Sequence, residues 1–200
     1  MLYSTILLGW VGILIFLIII FSLRSLVKNN EYGLIHILMA IMYAMWLPVP
    51  LALYFVLDID FLIVGSTFGF VYLMMLVMTM ALQTGHIAYV RKQNDVPLIN
   101  ANNIMATLSN PFEALANVFK SIWALFLGVS FWSIGATTMA VIMFLSSSLI
   151  FYYLILAINT SLVKQIDIFS KVKANSVVTN FETLLFFIAL MSYISFSIFG

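Results

Sequence analysis

Cysteine is absent from this 200-residue chain, and charged residues make up only 8% of it. Without cysteine there is no disulfide, no thiolate metal ligand and no thiol nucleophile. Soluble domains carry about 25% charged residues, so a chain with so few charges cannot cover a surface that faces water. The formal net charge of +1 gives no reason to expect a nucleic-acid partner. What the chain does contain, 64% hydrophobic residues, predicts a protein dissolved in a lipid bilayer.

Long uncharged segments separate the few charged residues along the chain. A helix needs about 20 apolar residues to cross the hydrocarbon layer, and the uncharged stretch 121–163 has room for two such helices divided at Gly135. We therefore predict an all-α, polytopic integral membrane bundle that forms a single transmembrane domain over residues 1–200. Its six transmembrane helices are expected at about 4–23, 33–57, 61–85, 113–133, 138–160 and 181–199.

The distribution of lysine and arginine predicts how these helices are oriented. All eight cations fall at or near the connections that follow the first, third and fifth predicted helices. Cytoplasmic connections are rich in Lys and Arg, so these three connections are expected in the cytoplasm and both termini on the extracytoplasmic side. We expect an integral protein of a bacterial or archaeal cell membrane. The eight cations are Arg24, Lys28, Arg91, Lys92, Lys120, Lys164, Lys171 and Lys173.

The segment 88–112 is the one long connection that the sequence predicts. We place it in the cytoplasm, where its scattered apolar residues favour either a short helix on the membrane surface or a docking segment for a partner protein. Three glutamates, Glu31, Glu113 and Glu182, follow residues that commonly cap helices. Because acidic residues in a first turn complement the helix dipole, we interpret all three as residues that begin helices.

Proline and glycine interrupt two neighbouring predicted helices. Pro48 and Pro50 each remove a backbone donor from the second helix. Gly65 and Gly69 in the third helix have the GxxxG spacing that lets two backbones approach closely. A tight hairpin between the two helices would place Pro48 level with Gly69. This arrangement is either a proline kink packed against a glycine notch or a binding or gating point, since interrupted helices mark the sites of many transporters.

A methionine and histidine pattern in the same two helices suggests a metal path. Thioether and imidazole ligands suit Cu(I), and in the hairpin register Met39 faces Met78 and Met42 faces Met75. Ordinary packing is the alternative, because methionine routinely fills gaps between helices. A haem held by the only two histidines is poorly matched in register, so no cofactor is predicted, while copper and haem stay open. The candidate ligands are His36, Met39, Met42, Met75 and Met78.

Lys120 is the cation that the orientation rule does not fully explain. Only 12 residues separate it from Ser133, too few to cross the bilayer, so the fourth helix must begin before Lys120 and place its ammonium inside the membrane. An intramembrane charge is costly and marks a functional position. The alternative is that the side chain extends to the headgroups. If it does not, Glu182 is the predicted partner.

No sequence signature of catalysis is present. The chain lacks a glycine-rich phosphate loop, an HExxH pair and a GxSxG elbow, so an enzyme is not expected. Two functions are left: a non-catalytic subunit or assembly factor of a larger membrane complex, or alternatively a small transporter or channel component. The expected partners are the lipid bilayer and either other membrane subunits or further copies of the chain.

Overall fold

The protein is helical throughout the part that the computed structural model describes, which covers residues 1–92, 98–164 and 166–200. Those residues contain no strand. The helices they form are α1 (Leu2–Lys28), α2 (Tyr32–Trp46), α3 (Val49–Leu57), α4 (Leu62–Lys92), α5 (Leu98–Ser133), α6 (Thr137–Ser148), α7 (Ile150–Ser161), α8 (Asp167–Ser170) and α9 (Ser176–Phe199).

Six segments of the described chain are long and apolar enough to cross a membrane, which confirms the predicted all-α multi-pass architecture. Spans 1, 3, 4 and 6 are α1, α4, the part of α5 from Asn103 and α9, whereas span 2 combines α2 with α3 and span 5 combines α6 with α7. Consecutive spans pack side by side from 1 to 5, and span 6 contacts spans 1, 2 and 5 and reaches span 4 through side chains. We call the end of the bundle where spans 1, 3 and 5 finish the cationic end.

Two spans are interrupted, for different local reasons. In span 2, the amide of Leu47 bonds to the carbonyl of Ala44 at 3.2 Å, a tighter turn that ends α2, and α3 restarts with Pro50 in its first turn. In span 5 no proline is involved. The hydroxyls of Ser147 and Ser148 donate to carbonyls three residues back, at 2.9 and 2.7 Å, at the point where α6 gives way to α7.

The predicted connection 88–112 is helical over most of its described length. α4 continues to Lys92 and α5 already begins at Leu98, so Pro111 lies inside α5 and not at its first turn. The apolar residues Met105 and Leu108, which suggested a surface helix, line cavities against α4. Both belong to the long helix α5 and are partly buried. Residues 93–97 of this connection lie outside the described chain.

Buried aromatic rings hold span 6 to the other helices. The indole of Trp46 in α2 stacks on Phe187 of α9 with ring centroids 3.8 Å apart, and its Nε1 donates to the carbonyl of Gly9 in α1 at 3.1 Å. Trp123 of α5 packs edge-on against Phe186 at 5.2 Å. Spans 1, 2, 4 and 6 therefore share one core, and α5 is the most buried of the six spans.

The glycine pair in α4 faces a different helix from the one predicted. A Cβ added at Gly69 would lie 2.5 Å from the Trp123 ring, and one added at Gly65 would overlap Phe126, so both glycines pack against α5. The neighbouring Ser66 faces the proline break instead and donates to the carbonyl of Pro50 at 3.0 Å. Ser66 meets Pro50 close to the height that the hairpin register gives for α4 along span 2. Each residue of a helix is rotated by about 100° from the one before it. The glycines therefore face α5 and not span 2.

Candidate functional site: a polar cavity beside an intramembrane ion pair

One face of α5 carries polar side chains into the membrane region. Asn110, Glu113, Asn117 and Lys120 follow one another at intervals of three, four and three residues, which places them on a single helical face. The first is exposed, Glu113 is partly buried, and the last two are buried. The seam begins at the cationic end and runs toward the middle of the bundle, ending about 20 Å from Ser133.

Lys120 closes the inner end of this seam and does not reach the surface. Its exposed fraction is 0%, and its ammonium forms an ion pair with the Glu182 carboxylate of α9. The same nitrogen donates to the hydroxyl of Thr183 at 3.0 Å. It also lies 5.8 Å from the ring centre of Tyr72 and 5.4 Å from that of Tyr153. A carboxylate, a hydroxyl and two aromatic faces together compensate the cost of burying the charge.

Glu113 lies inside α5, where it faces the bundle and caps no helix. Its carboxylate accepts a hydrogen bond from Nε2 of Gln83 in α4 at 3.0 Å, and Gln83 is almost completely buried. The amide nitrogen of Asn117 donates to the backbone carbonyl of Glu113 at 2.8 Å. Among the described ion pairs none includes Glu113, so its carboxylate is held by a neutral amide.

The capping interpretation is also wrong for Glu182. α9 begins at Ser176, and its capping residue is Asn175, whose Oδ1 accepts from the amides of Val177 and Val178 at 3.1 and 3.2 Å. Glu182 is therefore more than one turn into the helix. Glu31 does sit at the start of α2, as its N-cap residue, but its side chain makes no capping hydrogen bond.

A cavity of about 530 Å³ opens along the polar seam. This volume falls within the range of roughly 300–1,000 Å³ found for sites that hold small molecules. Side chains of α2, α4, α5, α7 and α9, together with the segment before α9, surround it. Its polar lining residues are His36, Asn110, Glu113, Asn117, Tyr153, Asn159, Thr160, Lys173, Ser176, Thr179 and Asn180.

Two buried polar atoms of residues that line this cavity make no hydrogen bond. They are Oδ1 of Asn117 and Oδ1 of Asn159. Asn117 is 6% exposed, so bulk water does not solvate it. Because buried polar groups in folded proteins are nearly always paired, these two oxygens are acceptors for which the described residues supply no donor.

The predicted metal ligands are distributed over two cavities and the core. His36 and Met39 line the polar cavity, whereas Met75 and Met78 line a separate cavity of about 80 Å³ between α4 and α5. Met42 is completely buried in the core. The facing pairs expected from the hairpin register share no cavity, because α4 is rotated relative to that register. Within the described residues, no group of three or more His, Cys, Asp or Glu side chains could hold a metal ion.

The two histidines line the same cavity. His36 and His86 line one cavity of about 200 Å³ at the cationic end, together with Arg91 and Met105. Nδ1 of His36 is 2.7 Å from the carbonyl of Tyr32. The cavity is smaller than the roughly 300 Å³ at which sites for small molecules begin, so its size does not favour a haem.

The proline break borders an apolar groove on the outside of the bundle. Pro48, Pro50 and Ser66 line this groove of about 410 Å³, and neither Gly65 nor Gly69 does. Its other walls include Leu51 and three further apolar residues that are partly exposed to the membrane region. The prolines and the glycine pair therefore form two separate features, and the break does not line the polar cavity.

Sequence reasoning identified Lys120 and Glu182 but missed most of the cavity. Gln83, Asn117, Tyr153 and Asn159 were not singled out. The spacing of Asn110, Glu113, Asn117 and Lys120 on one helical face was the available signal. The interpretation of Glu113 as a residue that begins a helix obscures this signal.

Comparison of the chain with protein families, with curated proteins and with solved structures gave no match.

Proposed function

We propose that this protein is a small membrane transporter, or the solute-binding component of one, and that its polar cavity holds the solute. The observation that carries the proposal is the pair of unpartnered amide oxygens of Asn117 and Asn159, two residues that line a cavity of about 530 Å³. Leaving such groups without partners costs about 1–3 kcal/mol each. A ligand that binds them recovers this free energy.

The arrangement around Lys120 supplies a means of closing the cavity toward the other end of the bundle. Tyr153 lies at the inner end of the cavity, with Lys120 against its ring and Glu182 beyond. α7, which carries Tyr153, begins next to the interruption of span 5 at Leu149. Interrupted spans beside a binding site are a recurring feature of transporters, in which one part of the bundle moves against another. We propose that the Lys120–Glu182 pair is the inner gate.

The alternative function, a non-catalytic subunit or assembly factor, finds no specific support in the geometry. A helix bundle that only fills space in a complex gains nothing from an internal polar cavity, because unpartnered polar groups destabilise it. Co-purification of a stoichiometric partner together with an absence of transport would favour this function.

Reconstitution into liposomes tests the proposal. Uptake of a pool of small amines, amino acids, sugars and organic acids would be followed by mass spectrometry for the native chain and for Ala114→Trp. Ala114 is buried on the cavity wall, so the indole fills the space that a solute needs. We expect the native chain to take up at least one solute class and Ala114→Trp to take up at most a tenth as much.

Ala106→Trp is the matched control, because Ala106 is exposed on the same helix, outside the cavity. It should transport like the native chain. Equal uptake by both tryptophan variants, or no uptake of any pooled solute by the native chain, would overturn the proposal. Thermal unfolding of each variant in detergent shows whether a loss of uptake reflects a loss of folding.

A further inference from the structure

From the charges and hydrogen-bonding groups of the polar cavity we infer that its solute is a small organic cation, such as a primary amine or a guanidine. This inference rests on the proposed function and specifies the substrate class of the same site. It depends on three features of the cavity: its charge, the kind of hydrogen-bonding atom left free, and its size.

Glu113 gives the cavity a negative charge that no described ion pair offsets. Its carboxylate is bonded to the amide of Gln83, and a neutral donor cannot balance a charge. Attraction between unit charges grows several-fold when water is replaced by a partly buried environment. A cationic ligand is therefore stabilised by Glu113, and an anionic ligand is repelled.

The nearby cations do not cancel this charge. The ammonium of Lys120 is matched by the carboxylate of Glu182. Lys173 lines the cavity but is exposed, so solvent and salt screen it. The imidazole of His36 also lines the cavity, and its described hydrogen bond joins Nδ1 to the carbonyl of Tyr32 at 2.7 Å, not to Glu113.

The unpartnered atoms favour a ligand that donates hydrogen bonds. Oδ1 of Asn117 on α5 and Oδ1 of Asn159 on α7 can only accept, and both residues line the same cavity as Glu113. An ammonium group has three donors and no acceptor, and a guanidinium has five donors. Either group has enough donors to match a carboxylate and two amide oxygens. The Tyr153 hydroxyl, which both donates and accepts, completes the polar lining.

The cavity volume favours an organic ion over a bare metal ion. A site of about 530 Å³ is many times larger than a single water molecule, whose share of liquid volume is about 30 Å³. Met39, Met80 and Leu156 provide apolar walls for the carbon skeleton of a ligand. A small cation with a hydrocarbon part fits both kinds of wall.

The test compares solutes that share a four-carbon chain and differ in charge. The purified chain in detergent would be titrated with n-butylamine, butylguanidine, 1-butanol, sodium butyrate and sodium chloride, and its unfolding temperature recorded. A ligand that binds only the folded state raises that temperature. We expect butylamine or butylguanidine to raise it in a saturable way, with butanol, butyrate and chloride causing no saturable rise.

Glu113→Gln should raise the Kd of the responding cation at least tenfold, because glutamine keeps the shape of the side chain and removes the charge. Glu31→Gln, the same change at an exposed position at the cationic end, should leave the Kd unchanged. Asn159→Leu removes one acceptor and keeps the charge of Glu113. It should raise the Kd of the responding cation about fivefold. This second variant keeps the inference testable if Glu113→Gln fails to fold.

Two outcomes would overturn the inference while leaving the proposed transport function in place. One is an equal response to butanol or butyrate, with uptake of neutral or anionic solutes in liposomes. The other is a response to sodium ions alone, which would assign the site to an inorganic cation. No response to any probe, combined with no uptake of any pooled solute, would remove both the inference and the proposed function.

Discussion

At the scale of single residues, Lys120 decides how the bundle is held together near its middle. Its charge is fully buried and depends on groups from another span, chiefly Glu182 and Thr183 of α9. Breaking a buried pair by removing one partner leaves an uncompensated charge, whereas replacing both partners by apolar residues is often tolerated. Either charge left alone would therefore lower the free energy of unfolding by more than the intact pair raises it.

Lys120→Met is expected to destabilise the protein by about 3–5 kcal/mol, because Glu182 is then left without its cation. The double variant Lys120→Met with Glu182→Leu should recover most of that loss. Chemical denaturation in detergent, followed by tryptophan fluorescence, measures both. Lys28→Met serves as the control, since Lys28 is exposed at the end of α1, and it should change stability little.

A Lys120→Met variant as stable as the native chain would contradict the buried pair. A double variant no more stable than the single one would show that the cost arises from the packing of Lys120 among Tyr72, Tyr153 and Thr183, and not from the unpaired charge.

The sequence predicted Lys120 through a simple length argument, since too few residues follow it to cross a bilayer. It did not predict the role of Glu113, because a glutamate two residues after a proline resembles a helix start. The difference lies in what surrounds Pro111. α4 covers the apolar residues before the proline, so the helix continues through it. No pattern in the residues around Pro111 indicates that α4 lies beside them.

At the scale of helices, α4 shows how one element can present different surfaces to different neighbours. Gly65 and Gly69 let the rings of Phe126 and Trp123 lie against its backbone, while Ser66 faces the prolines of span 2. At the GxxxG spacing, aromatic side chains of α5 lie close against α4. That spacing could not identify the approaching helix, because rotation about a helix axis is fixed by the neighbours on all sides.

Gly69→Ala should lower the unfolding temperature, because the added methyl would lie 2.5 Å from the Trp123 ring. Forcing an extra carbon into a well-packed core typically costs about 1–3 kcal/mol, which outweighs the gain of about 1 kcal/mol that alanine brings to a helix interior. Gly85→Ala lies in the same helix with nothing near its added Cβ.

Gly85→Ala should therefore leave the unfolding temperature unchanged or raise it slightly. Thermal unfolding of both variants in the same detergent gives the comparison. A Gly69→Ala protein that unfolds no lower than Gly85→Ala would mean that α4 and α5 can separate without loss, and that the glycine notch is not a packing constraint.

At the scale of the whole molecule, the order of the spans follows from hydropathy, whereas the contacts between them do not. Six long apolar helices can be counted along the chain because the bilayer imposes one length on each of them. Which helices touch depends on shapes that are complementary in three dimensions. Trp46 of span 2, for example, stacks on Phe187 of span 6. No residue spacing in either segment predicts this contact.

The orientation of the bundle remains a prediction from the distribution of lysine and arginine. Because the native chain has no cysteine, a single introduced cysteine can be labelled without background. In intact cells, a membrane-impermeant maleimide should label Asp60→Cys, which lies between α3 and α4. Asn29→Cys, between α1 and α2, should be labelled only after the cells are permeabilised. The reverse pattern would place the cationic end outside.

The ion pair between spans 4 and 6 also sets an order of events during synthesis. Lys120 and Glu182 are 62 residues apart in the chain. At about 5–20 residues per second, the ribosome adds that length in about 3–12 s. For that interval span 4 carries a cation whose partner has not yet been made. The charge is neutralised only when the last helix arrives, so the polar cavity is among the final parts of the bundle to close.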